Sequence, residues 1–166
     1  SREQPEECPY VHPLFERLGF RLLNVEHPFA LPEELVAQVD EAGINASAQP
    51  EPELILQRSA DGKALYFEAK RSSIGPDSSS SRQARGHLLA CGPAFAEVQA
   101  PLQECLLCYV LPADQIDAMG ECLEALSGEL TTVDLKPGHV SVHGLAARKA
   151  KQIVYQWDDT FAEFAG

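Results

Sequence analysis

Residues 53–70, ELILQRSADGKALYFEAK, contain two runs of β-favouring residues on either side of an Asp61-Gly62 pair. Aspartate followed by glycine is a strong signal for a two-residue turn between antiparallel strands. That turn would pair Glu53 with Lys70. The segment therefore predicts a tight β-hairpin, around which the rest of the chain can be arranged.

Three charged residues of this hairpin are expected on one face of the sheet: Glu53, Glu68 and Lys70. Directly paired residues point to the same side, and a shift of one residue would send Glu53 to the other side. Two carboxylates and a main-chain carbonyl, here that of Ala69, are ligands that suit Mg²⁺. A metal ion activates water, and a lysine can stabilise the anionic transition state at phosphorus. The alternative to a metal site is that residues 66–70 form the ordinary solvated polar face of a strand.

The remaining elements alternate between helical and strand patterns. Apolar spacing in residues 11–18 predicts a helix that Gly19 ends, and a strand FRLLNV follows. Further helices are predicted at 31–43, 81–91, 113–128 with Asp114 as a cap, and 157–166; further strands at 104–112, 131–145 and 151–157. This mixture indicates an α/β protein with a mixed sheet flanked by helices. We expect one domain over residues 1–166, and the missing initial methionine suggests a processed chain or a fragment of a larger protein.

The charge distribution is uneven. The chain carries a formal net charge of -12, which argues against nonspecific adhesion to nucleic acid. Residues 54–87 nevertheless contain 6 basic and 3 acidic residues, a net of +3. Arg71, Arg82 and Arg85 in this window either contact phosphates or keep a loop soluble. The window is therefore the predicted contact with a polyanion, unless its charge arises by chance.

Five cysteines at irregular spacing do not indicate a disulfide framework, so a reducing cytoplasm is the expected location. Cys105 and Cys108 form a CxxC inside an apolar strand, without a second pair, so buried thiols are favoured over zinc. No apolar run is long enough for a membrane span, and no secretory signal is visible.

Two histidines, His139 and His143, alternate along a predicted strand and would share a face. Such a pair can bind a metal ion. No acid or cysteine partner is evident nearby, so we expect ordinary surface histidines.

With these motifs in place, the chain resembles the PD-(D/E)xK nuclease superfamily, which includes restriction endonucleases and archaeal Holliday-junction resolvases. The resemblance rests on Pro52-Glu53, the turn, and Glu68-Ala69-Lys70. It extends to the FERLGF helix at 15–20 and the helix after the hairpin, and so covers about the first 110 residues. It implies a restriction-endonuclease-like fold and a hydrolase that cleaves phosphodiester bonds, with DNA more expected than RNA.

The resemblance also implies roles for individual residues. Glu53 and Glu68 would hold Mg²⁺ or Mn²⁺ together with the Ala69 carbonyl, and Glu16 on the first helix would be a further ligand. Lys70 would assist the attacking water, and Gln83 would position it. The residues expected to contact nucleic acid are Arg71, Arg82, Arg85 and His87.

Two departures from the family pattern keep an alternative open. The first acid is a glutamate, one methylene longer than the usual aspartate, and residues 24–52 form a long polar segment where compact members have a short link. Members of the superfamily with degenerate active sites serve as binding or structural modules. The chain is therefore either an active nuclease in defence, repair or recombination, or an inactive domain that binds nucleic acid or a protein. A third possibility is an unrelated interaction module. Because the chain is acidic, another domain or subunit is expected to target it to DNA.

Overall fold

A single mixed sheet of six strands organises the protein, for which a computed structural model describes residues 13–25, 28–74, 79–92, 104–147 and 153–166. The strands are β1 (Phe20–Val25), β2 (Leu54–Arg58), β3 (Lys63–Ala69), β4 (Glu104–Pro112), β5 (Val140–Ala147) and β6 (Ile153–Gln156). They lie side by side in chain order. β1, β2 and β3 pair antiparallel, β3, β4 and β5 parallel, and β5 and β6 antiparallel. The predicted mixed sheet is confirmed.

Helices cover both faces of this sheet. In the described residues they are α1 (Pro13–Arg17), α2 (Glu33–Glu41), α3 (Ser79–Ala90), α4 (Ile116–Thr132) and α5 (Asp159–Ala165), with a 3₁₀ turn at Ala113–Gln115. The mixture of sheet and flanking helices confirms the predicted α/β class and is consistent with a nuclease-like fold. No helix of the described part of the chain is both long and apolar enough to cross a membrane.

Two hydrophobic clusters lie on opposite faces of the sheet. The first, which we call the α3 face, joins α2, α3 and α4 to the sheet through residues such as Leu35, Leu88, Leu123, Ile55, Tyr66 and Leu107. The second, the α5 face, joins α1 and α5 through residues such as Phe15, Phe161, Leu56, Phe67 and Cys108. β3 and β4 are thus buried on both sides, as parallel strands covered by helices usually are.

The hairpin is present, but its predicted register is wrong by two residues. Leu54 pairs with Phe67 and Gln57 with Ala64, so four residues, 59–62, connect the strands. The Arg58 guanidinium binds the Asp61 carboxylate, with 2.8 Å between Nη2 and Oδ2. That ion pair lowers the pKa of Asp61. It also holds a wider turn than Asp61-Gly62 alone would make.

A shift of two residues preserves the face on which each side chain lies, because the side-chain period of a strand is two. The pairing ends at Leu54 and Phe67, and Glu53 lies at a bend just before β2, so it is not paired with Lys70. The amide of Glu53 donates to the carbonyl of Phe67 at 2.9 Å, the residue that already faces Leu54, so the regular register does not continue to Glu53.

The ends of α4 also differ from the prediction. Asp114 lies inside the 3₁₀ turn, and Pro112 precedes that turn as its N-cap residue, so the predicted cap is wrong. Gly128 does not end the helix, because Leu130 is completely buried and extends the apolar side of α4 by another turn. Residues 131 and 132, predicted as strand-like, are consequently helical.

Candidate active site at the end of β3

The centre of the candidate site is a buried network of three side chains, Tyr66, His87 and Glu68, which we call the Glu68 network. His87 Nε2 lies 2.8 Å from Glu68 Oε2, and His87 Nδ1 lies 2.6 Å from the Tyr66 hydroxyl. Tyr66 and Glu68 are neighbours on the α3 face of β3, and His87 reaches them from α3. Glu68 is only 6% exposed, so the interpretation of this strand face as solvated is wrong for both β3 residues.

The chemistry of these three groups favours one proton arrangement. A carboxylate only accepts hydrogen bonds, so Nε2 of His87 donates to Glu68. A neutral imidazole then has an acceptor at Nδ1, which receives the Tyr66 hydroxyl proton. Burial raises the pKa of Tyr66, which keeps the phenol protonated and able to donate.

Lys70 lies immediately beyond the end of β3, next to this network. Its Nζ is 3.9 Å from Glu68 Oε2, and its side chain is 26% exposed. Its amide donates to the Val110 carbonyl, which fixes the backbone between β3 and β4. Both described contacts of the Glu68 carboxylate, from His87 and Lys70, are therefore made through Oε2.

Glu53 is half-buried at a bend just before β2, and its amide is bonded to the carbonyl of Phe67, the residue before Glu68. The oxygen donors predicted for a metal ion are Glu53, Glu68 and the Ala69 carbonyl. Mg²⁺ needs only one or two carboxylates, because it retains several waters and contacts substrate phosphates. In this respect the donor set fits the ion. Within the described ranges, no group of three or more histidine, cysteine or acidic side chains is placed so that it could hold a metal ion.

Glu16 is not brought to this site. It is exposed on α1, and α1 packs through the buried Phe15 on the α5 face, the opposite side of the sheet from Glu68. Its proposed role as a ligand has no geometric support. Gln83 is half-buried on α3, one helical turn before His87, so the two do share a side of the helix as predicted.

The four residues predicted to contact nucleic acid separate into two pairs. Arg71 and Arg82 are exposed and remain candidates. Arg85 is buried: its Nε lies 2.6 Å from Glu129 Oε1, and its Nη1 donates to the Asn45 carbonyl at 3.1 Å. His87 is 1% exposed. Burial prevents these last two side chains from reaching a nucleic acid in this structure, and the prediction is corrected for both.

Arg85 instead helps to set the position of α3. It joins this helix to Glu129 of α4 and to the segment before β2. Gly86 contributes a close approach, because a Cβ there would lie 2.8 Å from the Ser47 carbonyl oxygen. Tight packing on both sides of α3 fixes the place from which His87 reaches Glu68.

Three cavities lie near the sheet. One of about 340 Å³ is formed at the carboxyl ends of β3, β4 and β5, and Lys70, Arg71, Pro112 and Leu145 are among its lining residues. The other two, of about 650 and 660 Å³, lie between α4 and the start of β5 and include Asp158. Of these three cavities, which are lined by described residues, the smallest is the one that Lys70 of the predicted catalytic set lines.

A second buried network, the Asp158 network, was missed by sequence reasoning. The Ser141 hydroxyl donates to Asp158 Oδ1 at 2.7 Å and lies 2.9 Å from His143 Nε2, while the Tyr155 hydroxyl lies 2.5 Å from His143 Nδ1. His143 is completely buried, so its prediction as a surface histidine is wrong, whereas His139 is exposed as predicted. Burial lowers the pKa of His143 to about 3, despite the opposing effect of the Asp158 charge.

Two of the described cysteines, Cys91 and Cys108, are buried core residues, whereas Cys105 and Cys122 are half-buried. Cys108 is completely buried, and burial raises the pKa of its thiol. Cys105 Sγ lies 3.7 Å from the thiol of Cys91. Within the described residues these thiols do not belong to a metal-binding group, and the expectation of buried strand thiols is confirmed for Cys108.

Comparisons with known proteins give a limited result. The chain matches no protein family and no curated protein. Among solved structures it is similar to SfsA of Pyrococcus furiosus in complex with Ca²⁺, with a TM-score of 0.45 and 12% sequence identity. The similarity covers 87% of this chain and 56% of that chain, so this chain spans little more than half the length of that structure.

Proposed function

We propose that this protein is a metal-dependent nuclease domain that hydrolyses phosphodiester bonds of DNA. The observation that carries the proposal is the arrangement at the end of β3: Glu68 Oε2 and Lys70 Nζ lie 3.9 Å apart, and the amide of Glu53, just before β2, lies 2.9 Å from the Phe67 carbonyl. Two carboxylates beside an ammonium group suit hydrolysis at phosphorus, where negative charge develops.

In this proposal Glu53, Glu68 and the Ala69 carbonyl hold Mg²⁺ or Mn²⁺. The ion would lower the pKa of a bound water and offset charge on the phosphate. The partly exposed Lys70 ammonium orients the water and stabilises the transition-state anion. Gln83, one turn before His87 on α3, lies on the side of the helix that reaches Glu68, and we assign it a role in positioning water or substrate.

Arg71 and Arg82 are the proposed phosphate contacts, because both are exposed and both flank the end of β3 and the start of α3. The cavity lined by Lys70 and Arg71 would receive one phosphate of the backbone. With a net charge of -12, the chain is expected to bind DNA weakly by itself, and a second domain or subunit would supply the targeting.

A second candidate function is that of an inactive domain that binds nucleic acid or a protein. It is favoured by one observation: Glu68 already accepts a hydrogen bond from His87 at 2.8 Å. A carboxylate engaged in this way has fewer lone pairs for a metal ion. Glu53 is one methylene longer than the aspartate of the family pattern, and this also favours an inactive site.

The test is cleavage of supercoiled plasmid and single-stranded DNA by the purified chain, with and without Mn²⁺. An active nuclease should lose at least about 100-fold in rate in Glu68→Gln and in Lys70→Ala, since each removes a group that acts on the reacting atoms. Glu104→Gln and Lys136→Ala are matched controls, because both residues are exposed elsewhere and should retain the full rate.

The remaining results separate the candidates. DNA binding without cleavage would support the inactive binding domain. Its affinity should fall with salt, and Arg71→Ala should reduce the slope of log K against log salt concentration by about one. A chain that neither binds DNA nor takes up Mn²⁺ would contradict both the nuclease and the nucleic-acid-binding form of the inactive domain, and residues 66–70 would then belong to a protein-interaction module.

A further inference from the structure

We propose that Tyr66 and His87 are positioning residues, which hold Oε2 of Glu68 so that its other oxygen, Oε1, is presented to a divalent metal ion. This inference rests on the proposed function. It assigns His87, which sequence reasoning placed at a nucleic-acid surface, to a buried position behind a metal ligand. Tyr66 had no assigned role.

The first argument is the geometry of the carboxylate. Both described contacts to Glu68, from His87 Nε2 at 2.8 Å and Lys70 Nζ at 3.9 Å, are made to Oε2. A free glutamate loses rotamer entropy when it is fixed. Because His87 already restrains this side chain, less of that loss remains to oppose metal binding.

The second argument is the rigidity of the donor. His87 is 1% exposed on α3, and its ring also contacts the aromatic rings of Tyr66 and Tyr109. Residue 86, immediately before it, approaches the Ser47 backbone closely enough that only glycine fits without a shift. The fold therefore determines where Nε2 lies, and through it where Oε2 lies.

The third argument concerns the tautomer. The Tyr66 hydroxyl has a single proton, and donating it to Nδ1 requires the ring proton of neutral His87 to be on Nε2. Without that hydroxyl, the ring can carry its proton on Nδ1, and the lone pair on Nε2 would then face the Glu68 carboxylate. Groups that orient a metal ligand in this manner typically change metal affinity by about 10–100-fold when they are removed.

The experiment measures Mn²⁺ binding to the full chain by calorimetry, together with the side-chain ¹⁵N shifts of His87. His87→Leu should weaken Mn²⁺ binding by about 10–100-fold, because the donor is lost. His87→Gln should restore most of the affinity, since its amide supplies a donor for Glu68 and an acceptor for Tyr66. Tyr66→Phe should weaken binding and change His87 from the Nε2–H form to a mixture of tautomers.

Tyr155→Phe is the matched control, because it removes the same kind of hydroxyl–histidine bond on the α5 face. It should leave Mn²⁺ affinity unchanged. If His87→Leu does not fold, Tyr66→Phe decides the matter, since it retains the ring that packs in the core.

The possible failures are distinct. If the wild-type protein binds Mn²⁺ and cleaves DNA, but Tyr66→Phe and the His87 variants bind Mn²⁺ as tightly, the nuclease proposal stands and the positioning proposal is overturned. If the wild-type protein binds no Mn²⁺ and cleaves nothing, the proposed function fails, and the metal-positioning role fails with it. The Tyr66–His87–Glu68 bonds would then be structural only.

Discussion

The Glu68 network and the Asp158 network are built from the same parts but end differently. In each, a tyrosine hydroxyl is hydrogen-bonded to Nδ1 of a buried histidine, and Nε2 of that histidine is hydrogen-bonded to a side-chain oxygen. The Asp158 network ends at a helix cap, since Asp158 accepts from the Phe161 amide at the start of α5. The Glu68 network ends beside the partly exposed Lys70.

This difference shows what a buried histidine can do in each setting. Asp158 uses both carboxylate oxygens within the fold, because Oδ2 also accepts from the Val142 amide. Described contacts to Glu68 use only one of its oxygens. We therefore interpret the Asp158 network as a connection between β5, β6 and α5, and the Glu68 network as part of a site.

The largest expected effect, taken over the full interval from pH ~6.5 to ~3, is the pH dependence of stability due to His143. Its pKa in the folded protein is about 3, whereas an unfolded histidine titrates near pH ~6.5. Between these values the unfolded state binds a proton that the folded state excludes. Stability is therefore complete above pH ~6.5 and falls by about 1.4 kcal/mol per pH unit as the pH decreases towards 3.

Urea unfolding of the wild-type protein and His143→Gln across this range checks the effect. Between pH ~6.5 and ~5, the free energy of unfolding should fall by about 2 kcal/mol more in the wild-type protein than in the variant. Parallel curves would contradict the burial of a neutral ring at this position.

The next effect is the loss of the carboxylate at the end of the Asp158 network. Asp158→Ala removes the acceptor for the Ser141 hydroxyl and for the amides of Val142 and Phe161. We expect a loss of about 3 kcal/mol, which combines a lost helix cap with buried donors left without partners. Thermal unfolding measures it. Asp159→Ala, at the neighbouring exposed residue, should cost less than about 0.5 kcal/mol.

The two tyrosine hydroxyls allow the sharpest comparison of the networks. Tyr155→Phe and Tyr66→Phe should each lower the free energy of unfolding by about 1–2 kcal/mol, because each leaves a buried histidine nitrogen without its donor. Only Tyr66→Phe should also weaken Mn²⁺ binding. Equal effects of the two variants on Mn²⁺ affinity would remove the distinction between a structural and a functional network.

The smallest expected effect is at Tyr109, which is buried on the α3 face. Its hydroxyl is buried without a hydrogen-bond partner among the described residues, although its ring lies beside His87. Removing an unpaired hydroxyl is expected to leave stability unchanged or to raise it by up to about 1 kcal/mol in Tyr109→Phe. A loss of more than that, measured by urea unfolding, would show that the hydroxyl has a partner in the folded protein.

Much of the hairpin could be predicted from local sequence. The alternation of residues in β3 placed Glu68 and Lys70 on one side of the chain, and this depends only on the two-residue period of a strand. The turn was less certain, because the Asp61-Gly62 pair also permits the four-residue connection that Arg58 stabilises. The error of two residues left each side chain of β2 and β3 on its predicted face of the sheet, but changed its cross-strand partner.

The fate of buried histidines could not be predicted in the same way. The sequence shows that His143 alternates with Val142, but not that α5 covers that side of β5. Likewise, the spacing of Gln83 and His87 placed both on one side of a helix without showing whether this side meets water or the sheet. The side of α3 that meets the sheet depends on how the connection from β3 through α3 to β4 packs, and this is not a local property of the sequence.

By itself, the sequence determined the α/β class, the approximate positions of strands and helices, and the shared face of Glu68 and Lys70, since these follow from backbone periodicity and turn chemistry. Only the tertiary structure decided that His87 and Tyr66 lie against Glu68, that Arg85 is buried, and that Glu16 is on the opposite side of the sheet. Contacts of this kind depend on how separate elements pack, and residues far apart in the chain then come within hydrogen-bonding distance.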